Sequence, residues 1–295
     1  MRRLVLLLVA CAEPSPPIEY APPVPTDAGL VRDGGFEPFA DDDLVVMTWN
    51  LRTFPLTATT ARVVGEVLAE HRPDLVGLQE IGAPELFDEL IDGLPGYEGL
   101  LANDPAATIR VALLYRPERV EIDEVSTLFV EDWYAFPRPP LAVRVTTRGA
   151  RPIDLRLLVV HHKALSDQES RRRRAAASRK LDDWCREALR GPEPDVLVIG
   201  DMNDRITDPR EENVFNFFLD RPDLYRFLTY ELERDHRYSH VPFRSFIDHI
   251  LITKEADEEY VEGSAGVLDL DKTIPRYLGE VSDHLPVHAR FRFSR

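Results

Sequence analysis

The chain has 295 residues, 44% of them hydrophobic, and a formal charge of −16 at pH 7. That length and apolar content suit one large α/β domain with a sizeable core. The acidity argues against a protein that coats nucleic acid through a broad basic face; it does not exclude a nuclease, because a site for a metal cation must itself be acidic.

The N-terminus reads as a targeting segment. Arg2 and Arg3, the short apolar run Leu4 to Val9, and Ala10 before Cys11 follow the order of a secretory signal. Leu8-Val9-Ala10-Cys11 resembles a bacterial lipobox, in which the cysteine becomes the lipidated first residue; the alternative is a chance match at a cytosolic N-terminus. Residues 1–11 are therefore expected to be a lipoprotein signal ending in the lipobox cysteine, and loss of Arg2 and Arg3 would take the charge from −16 to −18. The expected address is a bacterial cell envelope, membrane-anchored or secreted. Residues 12–43 carry Pro14, Pro16, Pro17, Pro22, Pro23, Pro25 and Pro38 with little apolar periodicity, which suits an extended tether. Residues 44–295 form the expected domain. Cys185 reads as a small buried residue, and no intrachain disulfide is expected.

Leu44 to Trp49 is the first predicted strand, with Asn50 at its end. Apolar residues at helical spacing (Val63, Val64, Val67, Leu68) predict a helix over 60–72, stopped by Pro73. A second buried strand, Asp74 to Gln79, ends at Glu80. Strand, helix and strand form a crossover unit, which puts Asn50 and Glu80 on one edge of a parallel pair. Pro84 to Leu94 predicts a short helix. Ile109 to Tyr115, Val120 to Phe129, Leu141 to Thr147 and Ile153 to Val160 follow as strands with short links, for which antiparallel pairing is expected. His161-His162-Lys163 ends the last of them. A long helix over 167–190 contains Arg171 to Arg174, and at least one of these arginines must turn toward the protein, since four consecutive residues sample every side of a helix. Val196 to Asp204, VLVIGDMND, is an apolar strand that stops at an Asp- and Asn-rich turn. A helical stretch near Asn213 to Leu219 and a polar loop holding Asp235, His236, Tyr238 and His240 come next. Ser245 to Ile252 is a strand with Asp248 and His249 on opposite faces. Ser282-Asp283-His284 leads into the last strand, which is expected to reach Phe293.

Asn50, Glu80, His161, Asp201, Asn203, Asp248, Asp283 and His284 nearly all stand at strand ends, where side chains can enter a crevice instead of burying charge. The set suits metal-assisted hydrolysis of a phosphate ester: hard oxygen ligands for Mg²⁺, an Asp-oriented His to accept a proton, and polar contacts for the developing charge. Zinc fits less well, because the sequence has no cysteine cluster.

Six segments in order, TWNLR (48–52), LQE (78–80), HHKA (161–164), GDMND (200–204), FIDHIL (246–251) and SDHLPV (282–287), resemble the endonuclease/exonuclease/phosphatase superfamily, which includes DNase I-like nucleases and inositol-phosphate and sphingomyelin phosphodiesterases. The resemblance runs from about Leu44 to the end. It implies an α/β (α+β) four-layer sandwich, two mixed β-sheets face to face with helices outside, and Mg²⁺ at one rim, with Mn²⁺ or Ca²⁺ as substitutes. It implies Glu80 as principal metal ligand, with Asn50 beside it and Asp283 as a second contributor. His284 matches the general base, Asp248 its orienting partner, Asp201 the carboxylate that positions water, and Asn203 a donor to phosphate. His161 matches a phosphate-contacting histidine, with His162 as the alternative if the alignment slips by one. Arg110 and Arg138 match positions that approach substrate. The implied activity is an Mg²⁺-dependent phosphodiesterase, foremost a DNase I-like endonuclease acting on nucleic acid. A phosphatase or lipid phosphodiesterase is the alternative, and a non-catalytic surface-binding protein a lesser one. The inserted DNA-gripping loops of repair endonucleases have no clear counterpart. The expected membrane contact is a lipid on Cys11; no protein partner is evident and a monomer is expected.

Overall fold

The structure is a computed structural model that describes residues 43–104, 107–149, 152–192 and 194–292; Cys11 and the proline-rich stretch lie outside the described residues. The chain opens with β1 (Asp43–Phe54), α1 (Thr60–His71) and β2 (Leu75–Ile81). Val63, Val64, Val67 and Leu68 make one buried stripe on α1. The helix ends where Arg72 takes a left-handed conformation (φ 46°) and returns its N–H to the Leu68 carbonyl. Pro73, which cannot continue a helix, then turns the chain back along β1 as its parallel neighbour.

The same unit recurs later. β7 (Asp154–His161) and β8 (Val196–Asp201) are parallel and joined by α3 (Gln168–Ala188). Asp167 caps α3 by accepting from the Ser170 N–H at 3.0 Å, which satisfies a donor left unpaired by the helix start. Each parallel pair sits inside a six-stranded mixed sheet. With β3 (Glu98–Leu101), β4 (Arg110–Tyr115), β11 (Gly266–Val267) and β12 (Val287–Arg292), the first sheet has the order β11-β12-β1-β2-β4-β3. With β5 (Val120–Thr127), β6 (Leu141–Thr147), β9 (Tyr225–Phe227) and β10 (Asp248–Thr253), the second has the order β5-β6-β7-β8-β10-β9.

Both faces of these central strands are buried, which is why they read as continuous apolar runs. Leu44 and Val46 of β1 meet Leu197 and Ile199 of β8 in a core between the sheets. Met47 and Trp49 point the other way, toward α1 and α2 (Pro84–Asp92). Val196 and Val198 face α3 and α4 (Asn216–Leu219), with Cys185 buried and free among them. Helices, sheet, sheet and helices thus stack as the expected four layers. The sheets pack tightly at Gly77 on β2, where an added Cβ would stand 2.8 Å from Ile199 of β8. Three short helices, α5 (Tyr230–Arg234), α6 (Leu270–Thr273) and α7 (Tyr277–Glu280), complete the chain. No helix among the described residues is long and apolar enough to cross a membrane.

Three expectations need correction. β4 and β5 do not pair despite their short link: the turn Arg116-Pro117-Glu118 carries the chain from one sheet to the other. β5 stops at Thr127, because Leu128 and Phe129 leave the sheet to join the core beneath α3. β10 begins at Asp248, not Ser245, so Asp248 opens a strand instead of lying inside one. β3, β9 and β11 are additional strands of two to four residues. In the run Arg171 to Arg174 of α3, Arg174 is the one turned inward, its Nε donating to Asp204 at 2.8 Å.

Candidate active site

The two parallel pairs deliver their C-terminal ends to the same rim. Asn50 of β1 and Glu80 of β2 come from the first sheet; His161 of β7 and Asp201 of β8 come from the second. Antiparallel neighbours supply the rest: Asp248 starts β10 directly opposite Asp201, and His284 lies just before β12, which pairs with the end of β1.

The backbone bends at this rim. The β1–β2 register shifts between Asn50 and Phe54, and Glu80 adopts φ 65°. Such conformations are costly for non-glycine residues and persist where surrounding contacts hold them. Here the bulge turns the Glu80 carboxylate outward, where Thr53 Oγ1 donates to it at 3.1 Å and Asn50 Nδ2 lies 3.4 Å away. At the end of β8 the close approach is different: Gly200 (φ 148°) would place a Cβ 2.0 Å from the Val160 carbonyl, so no other residue fits. Asp201 follows, with Asn50 Nδ2 donating to it at 2.9 Å and the Asn203 backbone N–H donating to it at 2.9 Å.

His284 donates or accepts through Nδ1 to Asp248 at 2.8 Å, and its Nε2 lies 3.9 Å from Asp201. Since a carboxylate can only accept, Nδ1 carries the proton and Nε2 is left to take another. Burial opposes the charged imidazole, but the carboxylates of Asp248, Asp201 and Asp283 outweigh it and raise His284 to about 10, so without a cation Nε2 holds a proton; a cation among the same carboxylates would offset their pull and free Nε2. Burial likewise raises Asp201 above the usual carboxylate range, against the pull of His284. Opposite them, His161 Nε2 lies 3.5 Å from Asp201 and 3.8 Å from Glu80. The Arg138 guanidinium lies across the ring, with Nε 3.2 Å from His161 Nδ1, Nη2 2.6 Å from His161 Nε2 and an Nη2 N–H donated to the His162 carbonyl at 2.8 Å. Burial, reinforced by Arg138, holds His161 well below the usual histidine range, so it is neutral.

The set fits a hard divalent cation. Four carboxylates, Glu80, Asp201, Asp248 and Asp283, converge, with Arg52 and Arg138 as the cationic side chains beside them among the described residues. Glu80 is partly exposed and has no lysine or arginine ion pair among the described residues. Asp248 Oδ1 is buried without a hydrogen-bond partner, a lone pair that a cation or a water would satisfy. Glu80 is the accessible hard-oxygen donor; Asn50 turns Nδ2, not Oδ1, toward it, so the amide must rotate to offer oxygen.

The rim thus gathers Asn50, Glu80, Arg138, His161, Asp201, Asn203, Asp248, Asp283 and His284. Asp283 faces His284, His240 and Arg52, which lie 3.4 to 4.0 Å from it. His162 departs from the expectation: its ring is fully buried against Phe136 on the helix side of the sheet, and only its carbonyl, which accepts from Arg138 and Asn203, serves the rim. Strand alternation sends consecutive residues to opposite faces, so His161 and His162 cannot both enter. Arg110 stands one strand beyond Glu80, paired with Ile81, with its Nε donating to the Asp104 carbonyl.

Some participants were invisible as such. Ser282 Oγ donates to the Asn50 carbonyl at 2.6 Å and accepts from the His284 N–H at 3.0 Å, tying the last loop to β1. Its spacing from His284 is that of a serine turn, a signal the sequence did carry. Trp49 Nε1 and the Tyr277 hydroxyl both donate to the His284 carbonyl, across more than two hundred residues in the first case, for which no local signal exists. His240 lies tilted against His284, with ring centroids 4.7 Å apart and planes at 48°.

The wider comparisons agree with this geometry. The human Nocturnin catalytic domain with bound sulfate is similar over 86% of this chain and 95% of its own, at 20% identity and TM-score 0.62. TDP2 from D. rerio, complexed with a single-strand DNA product, is similar over 85% and 100%, at 20% identity and TM-score 0.65. An endonuclease/exonuclease/phosphatase from Bacteroides vulgatus is similar over 85% and 99%, at 18% identity and TM-score 0.64. These likenesses concern the fold. No curated protein sequence matches the chain. The profile of the Endonuclease/Exonuclease/phosphatase family matches residues 47–284, so the chain belongs to that family and is a metal-dependent phosphoesterase.

Proposed function

We propose that the chain is an Mg²⁺-dependent phosphodiesterase of the DNase I type, cleaving nucleic acid at the cell envelope. The observation that carries the chemistry is the buried Asp248–His284 pair at 2.8 Å, whose free Nε2 faces Asp201 across from His161 and Arg138. His284 Nε2 takes the proton of the attacking water, while Asp248 fixes the tautomer and shares the imidazolium charge. Asp201 orients that water, and Asn50, which donates to Asp201, fixes the carboxylate's rotation. Asn203, neutral His161 and Arg138 receive the charge that grows on the phosphoryl oxygens. Glu80, with Asn50 and Asp283 as further contributors, would hold the cation; bound Mg²⁺ supplies Lewis-acid polarisation of the phosphate. The nucleic-acid reading is supported by the single-strand DNA product on the similar TDP2. Arg110, on the same rim, is available to a longer substrate.

A lipid phosphodiester is the second reading, favoured by Phe243. This side chain is 81% exposed in the loop beyond His240, and an apolar ring at the mouth suits an acyl chain as readily as a base. The surface anchor proposed at Cys11 agrees with either.

Supercoiled plasmid incubated with the purified chain lacking residues 1–11 should be nicked with Mg²⁺ and not with EDTA, and His284→Ala should be inert. Intact plasmid with a folded, Mg²⁺-binding protein would discard the nuclease, and a phosphodiester lipid panel would replace it. Cys11→Ala should move the full chain from membrane to soluble fractions; an already soluble wild type would remove the anchor.

A further inference from the structure

His240 has no part in the proposed hydrolysis, yet it completes a second ligand set beside it. Its Nε2 lies 3.9 Å from Asp283 Oδ2, and His284 Nε2 lies 4.0 Å from Asp283 Oδ1. One ligand atom from each of His240, Asp283 and His284 lies within 4.8 Å of the other two. We propose that His240, Asp283 and His284 form a site for zinc or a similar borderline transition metal, whose occupancy blocks turnover.

Two imidazoles and one carboxylate with an open fourth position are the donor chemistry of tetrahedral Zn²⁺, whereas Mg²⁺ prefers oxygen ligands alone. For bond lengths of about 2.0–2.1 Å, tetrahedral ligand atoms stand somewhat over 3 Å apart. The three ligand atoms, which lie within 4.8 Å of one another, must therefore close by up to about 1.5 Å, through rotation of the partly exposed His240 and Asp283 side chains. The supporting contacts are already in place. Asp248 holds His284 Nδ1 at 2.8 Å and turns Nε2 toward the metal position, where an ion displaces the Nε2 proton, which is the usual carboxylate–histidine–metal arrangement. The His240 backbone is fixed by bridges to Ser245 and to His284. Asp283 Oδ2 also meets Arg52 Nε at 3.4 Å, and metal binding must share or displace that contact. His240 and Asp283 are partly exposed, so an ion can reach them.

The inhibitory consequence rests on the proposed role of His284: a metal on Nε2 occupies the lone pair that would take the proton. Binding itself does not depend on that role, so the two can be separated. Zn²⁺ binding to the full chain is measured by competition with a chromophoric zinc indicator, for wild type, His240→Ala and Glu80→Gln. Turnover of bis(p-nitrophenyl) phosphate with Mg²⁺ is followed in parallel. The wild type should bind one Zn²⁺. His240→Ala should weaken that binding at least roughly tenfold, since loss of even an outer partner costs about 10- to 100-fold. Glu80→Gln should keep it. Zn²⁺ should inhibit the wild type, and His240→Ala should need correspondingly more. Equal zinc affinity in wild type and His240→Ala, or zinc binding lost in Glu80→Gln and kept in His240→Ala, would overturn the site. Zinc binding through His240 in a chain that hydrolyses no phosphodiester would keep the site and discard the activity instead.

Discussion

The segments RPDLVGLQE (72–80) and EPDVLVIGD (193–201) are two versions of one element. Each has a Pro-Asp pair, an apolar parallel strand and a carboxylate six residues after the first. The difference lies in what surrounds the acids at either end. Glu80 sits on a left-handed bulge of β2 and remains partly exposed, whereas Asp201 stays in register with β10, buried, in reach of three polar side chains. One strand end offers an accessible negative ligand; the other offers a fixed, desolvated acceptor. At the opposite ends the contrast is reversed. Asp74 accepts from the Val45 N–H at 2.8 Å and from Arg116 and Arg119 at 3.1 Å each. Asp195 has Glu255, Glu258 and Glu259 as its charged neighbours, and burial followed by those charges pushes it up to about 6. The same backbone unit thus hosts chemistry or stability according to its side-chain neighbours.

Substitutions can break this comparison. The largest effect is expected from Asp201→Asn, which keeps shape and removes the fixed charge: turnover should fall by about 10²–10⁴-fold with unchanged circular dichroism. Near-normal turnover would place the water-orienting function elsewhere. Glu80→Gln should also lose turnover, by roughly 10²-fold or more, and in addition abolish the rise in Tm that Mg²⁺ gives the wild type. If Asp201→Asn removed that rise and Glu80→Gln did not, the two strand ends would have to exchange roles. Asp74→Ala should cost roughly 2 kcal/mol in denaturant unfolding, since it strands a buried N–H and two guanidiniums, with little change in kcat.

Asp195→Asn, the smallest effect, should have the opposite sign. A carboxyl raised to about 6 holds its proton more tightly folded than unfolded. Its contribution is therefore full below its ordinary range, near pH 4, and is lost as pH rises through about 6. The Asn variant should remove that slope and be slightly more stable than wild type at neutral pH. A variant less stable at pH 7, or with the slope intact, would show that Asp195 is compensated by contacts other than those glutamates.

Much of this was legible because the chemistry sits where apolar runs stop. VLVIGDMND and DLVGLQE state both the buried strand and the polar residue that ends it, and Pro73 and Asp167 mark helix limits locally. Pairing partners are another matter. Nothing in Arg116-Pro117-Glu118 says whether β5 returns to the same sheet or crosses to the other, because both need the same tight turn. The exclusion of the His162 ring follows from strand alternation, but only once the register of His161 is known. Arg138 on His161, Trp49 on His284 and His240 beside Asp283 arise from tertiary contacts between distant segments, which leave no periodic trace.

Gly77 has a mechanical consequence. It lies in the tight contact between the two leaves of the molecule, three residues before Glu80. Each leaf carries half of the reaction centre, so its geometry is a readout of how tightly the leaves close. Gly77→Val would press on Ile199 and Val159 and wedge the leaves apart close to Glu80. Activity should then fail at lower denaturant than the strands do, making catalysis the more sensitive gauge of inter-sheet closure.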